Sequence, residues 1–460
     1  MDTKHLSWPW LSLVCLFALL LAGFTCWTSK AYPGNISPPV PSLVDTTRSD
    51  HTPPGSPPGE PAKKIKIPAE PLSAVSFHEP PIILKIRDIL PANLCRGSNY
   101  VIMDKVQNDG IINVYDIQTS YGMTRIESTP ALLIRINELK AIEKMEQMKQ
   151  TSVFKEALVS GVKAPVKLAG DVLKAPVETA GKVAVGTGNF LSNVARSIFS
   201  SDPHQDNVLK VAVGYDAAKR KFAYEFQINP YTDYDPVVEQ LGEISRAAVA
   251  GGIVPRVAMQ AVGGPAGTAL GLTATAKSMK KLVRDNAPAE LEKINRKKLL
   301  EMGVSQDLCD AFLENYKFDP ETTTILVGEL YSMKGVQGRD LFIAVAALAE
   351  TGTRALMYRI MAGMMAKYHS SYARARRIGL ASGIPYLVND ANVAVFQLPL
   401  DYVFWTRHVA AKLSDIDKDL HNLTGIRAKE MWLSGKMDTD AQRQFSRRGW
   451  TVVQDVIPLK

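Results

Sequence analysis

The sequence predicts a helix-dominated α+β fold, and three observations carry that prediction. Apolar residues make up 46% and charged residues 22% of the 460, the balance of an ordinary folded chain. Short β-rich runs cluster between residues 81 and 127, separated by a turn signal. From about residue 285 apolar residues recur every three or four positions, the period of helices that bury one face. A small N-terminal β-hairpin/helix module is thus expected ahead of a larger helical C-terminal domain with a β-hairpin. An amphipathic eleven-residue repeat segment lies between them.

The chain opens on a targeting pattern. Leu6 to Ser29 is 24 residues without a charge, including "LSLVCLFALLLAGF", between Lys4 and Lys30. Residues 1–31 therefore read as a signal peptide cleaved after the small-x-small triplet Ser29-Lys30-Ala31, or as an uncleaved signal anchor, since about 20 apolar residues span a bilayer. Either way the chain is expected to be exported, to the periplasm or cell envelope, with residues 6–29 as its transmembrane anchor if they are retained. Residues 32–80 hold 12 of the 28 prolines. Such a segment buries too little apolar surface to offset its ordering entropy and is expected to be a disordered linker.

Residues 81–150 form the first expected module. "IILKIRDIL" and "YVIMDKVQNDGIINVYDI" read as strands, with a hairpin at Asn108-Asp109-Gly110, where glycine accepts the positive φ of the turn. Thr129-Pro130 opens a helix, threonine as cap and proline in the first turn, where no amide donor is needed. Leu132, Ile136, Leu139 and Ile142 put one apolar face of that helix on the small sheet.

Residues 151–200 contain the repeat. Gly161–Asp171 and Val172–Lys182 share six of eleven positions, and the apolar residues Val162, Val166, Ala169, Leu173 and Val177 advance by three or four. Eleven residues in three turns keep such a stripe straight along a helix. Lys163, Lys167, Lys174 and Lys182 flank it. Pro165 and Pro176 each remove a backbone hydrogen bond and kink the rod on the same side. In its period the segment resembles the amphipathic eleven-residue repeats of lipid-surface proteins such as the synucleins and perilipins, and departs from them in its prolines. That resemblance implies an anionic membrane surface under the stripe, with each lysine contributing about 1 kcal/mol near headgroups. A wrap around the protein's own body, or a contact with an envelope protein, would cover the stripe equally well.

Two further helices, "DNVLKVAVGYDAAKRKFAYEF" and "DPVVEQLGEISRAAVAGGIV", are expected in residues 205–284, a region rich in small residues. In residues 285–460 Asp319-Pro320 starts a helix, Gly335 to Gly338 breaks the chain, and residues 339–368 read as one long buried helix. "PYLVNDANVAVFQL" reads as a hairpin, "DYVFWTRHVAAKL" as a helix and "GWTVVQDV" as a last strand. Beyond the targeting segment only Cys95 and Cys309 remain, enough for a single disulfide in an oxidising compartment or for two buried thiols.

No local catalytic motif survives inspection. Gly186-Thr187-Gly188 is followed by Leu191 where a dinucleotide fingerprint needs glycine. Asp415, Asp417 and Asp419 have the spacing of a calcium loop, but Leu420 and Ile426 replace its glycine and glutamate. Tyr231 with Asp233, Asp235 and Glu239 reads as a capped turn, and Arg374, Arg376 and Arg377 as an exposed helix end. The seven histidines show no metal spacing, and no cofactor is implied. The net charge of +8 is spread along the chain, without the basic run of a nucleic-acid patch. The expectation is an exported cell-envelope protein that contacts a membrane surface or a protein partner without catalysis. The alternative is an envelope hydrolase or transferase whose site is assembled from distant residues of 285–460.

Overall fold

The computed structural model describes residues 76–152, 154–156, 203–251 and 273–457. The run 6–29 and most of the Pro-rich segment lie outside them. So does the whole eleven-residue repeat, with Val162, Lys163, Val166, Lys167, Leu173, Lys174, Val177 and Lys182. The fold is mixed α+β and rich in helix, as the sequence predicts. One expectation is corrected: among the described residues no helix is long and apolar enough to cross a membrane.

The N-terminal sheet contains β1 (Ile82–Lys85), β2 (Tyr100–Ile102), β3 (Lys105–Asn108), β4 (Asn113–Thr119) and β5 (Gly122–Glu127), all paired antiparallel. Only the first four residues of "IILKIRDIL" are strand. Ile86–Ile89 coils into a short helix, α1, and Ala92–Cys95 into another, α2, so that Ile86, Leu90 and Leu94 turn inward. The hairpin stands where expected. Gly110 has φ +110°, and the Asp109 carboxylate accepts from the amides of Ile111 (2.9 Å) and Ile112 (2.7 Å).

Helix α3 (Thr129–Lys149) follows, capped one residue earlier than expected: the Ser128 hydroxyl accepts from the Ala131 amide, which leaves Thr129 free for other work. Leu132, Ile136, Leu139 and Ile142 are all buried, and so are Ala141, Met145 and Met148. The second buried side reflects α5 (Asp235–Gly251), which packs along α3 after α4 (Pro203–Phe226). Phe222, Phe226, Leu241 and Ile244 join one core with the N-terminal sheet. The Asn137 amide donates to the Gln227 carbonyl (2.8 Å) and Lys149 pairs with Glu243 (2.6 Å).

The C-terminal half contains α6 (Ala274–Asp285), α7 (Pro288–Glu301), α8 (Gln306–Leu313), α9 (Pro320–Ser332), α10 (Arg339–Ala346) and α11 (Gly352–Ser371). Asp319 caps α9 as its sequence predicts, accepting from the amides of Glu321 and Thr322. The single helix expected over 339–368 is two helices. The side-chain amide of Asn315 donates to the carbonyls of Ala347 and Ala349 (3.0 Å each), and Thr351 starts α11 as a new cap. Local apolar spacing carries no trace of a competitor 32 residues upstream.

Beyond α11 lie β6 (Ala375–Ala381), β7 (Ile384–Asn389), β8 (Val393–Leu398), β9 (Tyr402–Val403), α12 (Arg407–His421), β10 (Ala428–Leu433), β11 (Lys436–Met437), α13 (Thr439–Arg447) and β12 (Trp450–Val453). The main sheet has the order β12-β10-β8-β7-β6, with β12, β10 and β8 parallel and the rest antiparallel. The expected hairpin β7–β8 is thus the middle of a five-stranded sheet. The Arg374–Arg377 stretch is correspondingly corrected: it is not a helix end but the start of the edge strand β6. Alternation sorts the sheet's two faces. Phe396, Trp450 and Phe445 meet edge-to-face under α13, at 5.3 and 6.0 Å. Gln397 and Trp432, register partners on β8 and β10, belong to the face covered by α11.

The two halves are joined through the segment 401–406. The Phe404 amide donates to the Gly110 carbonyl (2.8 Å) and the Asp401 amide to that of Ile111 (3.0 Å). The buried Asp401 carboxylate accepts from the amides of Asn113 (2.8 Å) and Thr129 (2.9 Å).

Candidate functional site

Two surfaces of the C-terminal half converge on one cleft. From α9 come Ile325 and Glu329, one turn apart. From α11 come Arg359, Gly363 and Lys367 along one stripe and Ile360, Met364 and Tyr368 along the next. The sheet supplies Gln397 and Trp432, and Thr273 closes one end. The i, i+4 spacing within each helix is what aims these side chains at a common space. The cavity volume is about 80 Å³. A cavity of roughly 150 Å³ holds one benzene ring, so the enclosed space here takes a few waters or part of one ring.

The floor is polar and buried. Glu329 is 1% exposed and Arg359 9%. The Thr273 hydroxyl accepts from the Ala276 amide, capping α6, and donates to Glu329 Oε1. Glu329 Oε2 has no hydrogen-bond partner among the described residues. Burial pushes the Glu329 carboxyl up to about 7, against the Thr273 hydroxyl, the Arg359 charge and the Ala276 amide, which favour the anion. Arg359 also acts on a second buried carboxyl of α9, Glu321, which pairs with Lys280 at 3.5 Å. Both ends of the Gln397 amide, Oε1 and Nε2, are likewise buried without a partner among the described residues.

The wall is aromatic. Trp432 meets Tyr368 and Tyr372 edge-to-face, at 5.1 and 4.8 Å, and its indole N–H is held by Glu430 (2.8 Å). Tyr372 and Lys367 are exposed, so they stand at the mouth.

The residues that the sequence singles out are not brought together here. The lysines and aliphatics of the repeat lie outside the described residues. Of the two alternatives for Cys95 and Cys309, the structure has both as free thiols, Cys95 partly buried and Cys309 buried. Cys95 donates to the Pro91 carbonyl (3.5 Å) and Cys309, fully buried, to that of Val304 (3.9 Å). Burial pushes both thiols up, away from reactivity. Asp415, Asp417 and Asp419 point to different ion-pair and hydrogen-bond partners. Asp415 pairs with Lys418; Asp417 pairs with Lys429 and accepts from the Trp450 indole; Asp419 accepts from Ser382. In the turn before α5, Asp233 faces the buried Glu138, whereas Tyr231 faces Arg220, so that cluster is divided.

One group of metal-capable atoms has no counterpart in the sequence pattern. His78, Asp438 and Asp440 bring three ligand atoms within 4.8 Å of one another. Asp438 already caps α13 through Ala441 and takes the His78 ring at 3.0 Å, and Arg443 pairs with Asp440. These contacts describe a strap holding residue 78 to α13. The cleft residues carry one faint mark in the sequence. Glu329 and Gln397 each stand alone in an apolar run, "TILVGEL" and "VAVFQL". No family model matches this chain, and neither a curated protein nor a solved structure is similar enough to match it.

Proposed function

We propose that the C-terminal half binds a small organic molecule in the cleft between α9, α11 and the main sheet, with Glu329 as its proton-exchanging group. One observation carries the reading: a buried carboxyl with a free oxygen, poised at about 7, at the floor of a cavity. A carboxyl in that condition is half protonated at neutral pH and exchanges a proton in either direction with little driving force lost. Perturbed acids in clefts mark functional sites more often than structural ones do. Among the two functional expectations this favours the site assembled from distant residues of 285–460. It also admits a binding protein that performs no reaction.

The test uses the full chain and Glu329→Gln. Carboxyl infrared spectroscopy should show a group titrating near pH 7 in the parent and absent from the variant. Saturation-transfer NMR with a panel of single-ring acids, amides, lactams and amines should then find binders to the parent that weaken at least tenfold in the variant. If no panel member binds, or the near-neutral carboxyl is missing, the reading fails.

A further inference from the structure

The cleft's unpaired groups specify what fits it. Gln397 presents a donor and an acceptor side by side, both buried at the cavity wall and both without a partner among the described residues. A buried polar atom without a partner is destabilising, so two on one side chain are a standing penalty that a complementary ligand would remove. A carboxylate satisfies only the Nε2 end and sets its charge against Oε1. An ammonium satisfies only Oε1. Two groups satisfy both ends at once in a planar two-bond pair: a protonated carboxyl, which is ionised at neutral pH in solution, and another amide edge, with N–H to Oε1 and C=O to Nε2.

Size and wall narrow the class. About 80 Å³, against the roughly 150 Å³ that holds benzene, excludes a dinucleotide or a peptide from the enclosed part and admits one edge of a single ring, the rest lying towards the mouth at Lys367 and Tyr372. Tyr368, Tyr372 and Trp432 offer aromatic faces and edges beside the Gln397 amide, Trp432 being its register partner on the next strand. Aromatic side chains of this kind hold flat rings by stacked or edge-to-face contact. We infer that the cleft takes a neutral, single-ring lactam, a six-membered heterocycle with an N–H beside a ring carbonyl, paired through that edge to the Gln397 side chain. The inference rests on the cleft being a binding site and adds the ligand's chemical class.

The probes are 2-pyridone and uracil, which carry the lactam edge; N-methyl-2-pyridone, which lacks the donor; and benzoate and benzylamine, of similar size and opposite charge. Calorimetric titration of the full-length protein should find 2-pyridone or uracil bound at least tenfold tighter than the three controls. Gln397→Met, which keeps the volume and deletes both polar ends, should abolish that preference. Its thermal midpoint should hold or rise, because it removes two orphaned atoms. The ligand series needs no variant, so the preference is readable even if Gln397→Met misfolds. Benzoate binding best, through Arg359 and without regard to Gln397, would overturn the lactam assignment and leave the cleft as an anion site. Equal binding of 2-pyridone and its N-methyl form would also overturn it. Failure of every probe would overturn both the assignment and the binding role.

Discussion

Asp401 and Glu329 are two buried carboxyls in the same body, and both are raised by burial, to about 6 and about 7. What surrounds them differs. The Asp401 oxygens are met by the amides of Asn113 and Thr129, and the Thr129 hydroxyl in turn meets Tyr115, which takes the Asn113 side chain. Around Asp401 the network is closed, and it sits where the hairpin turn and the first turn of α3 lock onto the segment 401–406. Around Glu329, which lines a cavity, one oxygen is engaged and the other is buried without a partner among the described residues. A buried carboxyl with its oxygens matched serves the fold. One left partly unmatched in a side chain that lines a cavity is the observation on which the proposed binding site rests.

The largest separation between them should appear on deletion. Asp401→Ala strips the acceptor from two buried amides, each costing about 1–3 kcal/mol when orphaned, so the loss should reach roughly 3–5 kcal/mol in urea unfolding. Glu329→Gln keeps an acceptor for Thr273 and removes a charge that burial opposes. Its stability at pH 7 should not fall and should exceed the parent's, by up to roughly 3 kcal/mol if the carboxyl is as strongly raised as its burial implies. Equal losses in the two variants would erase the distinction.

Titration sharpens the same comparison. A carboxyl whose folded value lies above its unfolded one binds more protons when folded, so stability falls as pH rises through the interval between the two. For Asp401 that interval runs from 3.8 to about 6. For Glu329 it runs from 4.5 to about 7, a move worth roughly 3 kcal/mol. Above pH 6 Asp401 is largely spent, and the decline that continues to about 7.5 belongs in good part to Glu329. Glu138 and Glu321, also raised by burial, act with the same sign, so the difference between parent and Glu329→Gln is the quantity to read. Denaturant unfolding between pH 4 and 8 should give curves that converge near pH 4 and separate steadily towards 8. Parallel curves would remove the near-neutral glutamic acid from the cleft.

The contrast also explains what the sequence shows and what it hides. Features set by neighbours a few residues apart are legible: the Asp109-Gly110 turn, the Asp319-Pro320 start, the buried face of α3 and the β7–β8 hairpin. Thr129 lost its expected capping role to Ser128, a shift of one residue that freed its amide and hydroxyl for the Asp401 network. Features set by distant partners are not legible. β10 is a strand because β8 and β12 flank it in parallel, their register partners lying 35 residues before and 21 after. Arg376 and Arg377 belong to the edge strand β6, whose outer side is bridged there by Gln337 from the turn before α10. The cleft is the extreme case, since residues 273, 329, 359, 397 and 432 meet only in the folded chain. Its trace in the sequence is a lone polar residue inside an apolar run, and Asp401, just after such a run, leaves a similar mark. Only the partners separate the structural member from the open one.

The smallest predicted effect isolates the cavity itself. Gly363 lies inside α11, where glycine costs about 1 kcal/mol relative to alanine. Its φ is not in the left-handed region, so the backbone does not require glycine there. A Cβ added at this position would stand 3.7 Å from Glu329 Oε1, an ordinary contact that displaces nothing. What glycine supplies is therefore space against the carboxyl. Gly363→Ala should gain about 0.5–1 kcal/mol in unfolding free energy and raise the thermal midpoint. In the same protein, 2-pyridone should bind several-fold more weakly, because a methyl group now occupies the floor of a cavity with few atoms' room to spare. The opposite signs matter more than the sizes: a helix that becomes more stable while its cleft becomes less receptive gives up stability for an opening. A gain in stability with unchanged binding would place the ligand away from Gly363 and the Glu329 Oε1 side of the cleft, and the space that glycine leaves would have no part in binding.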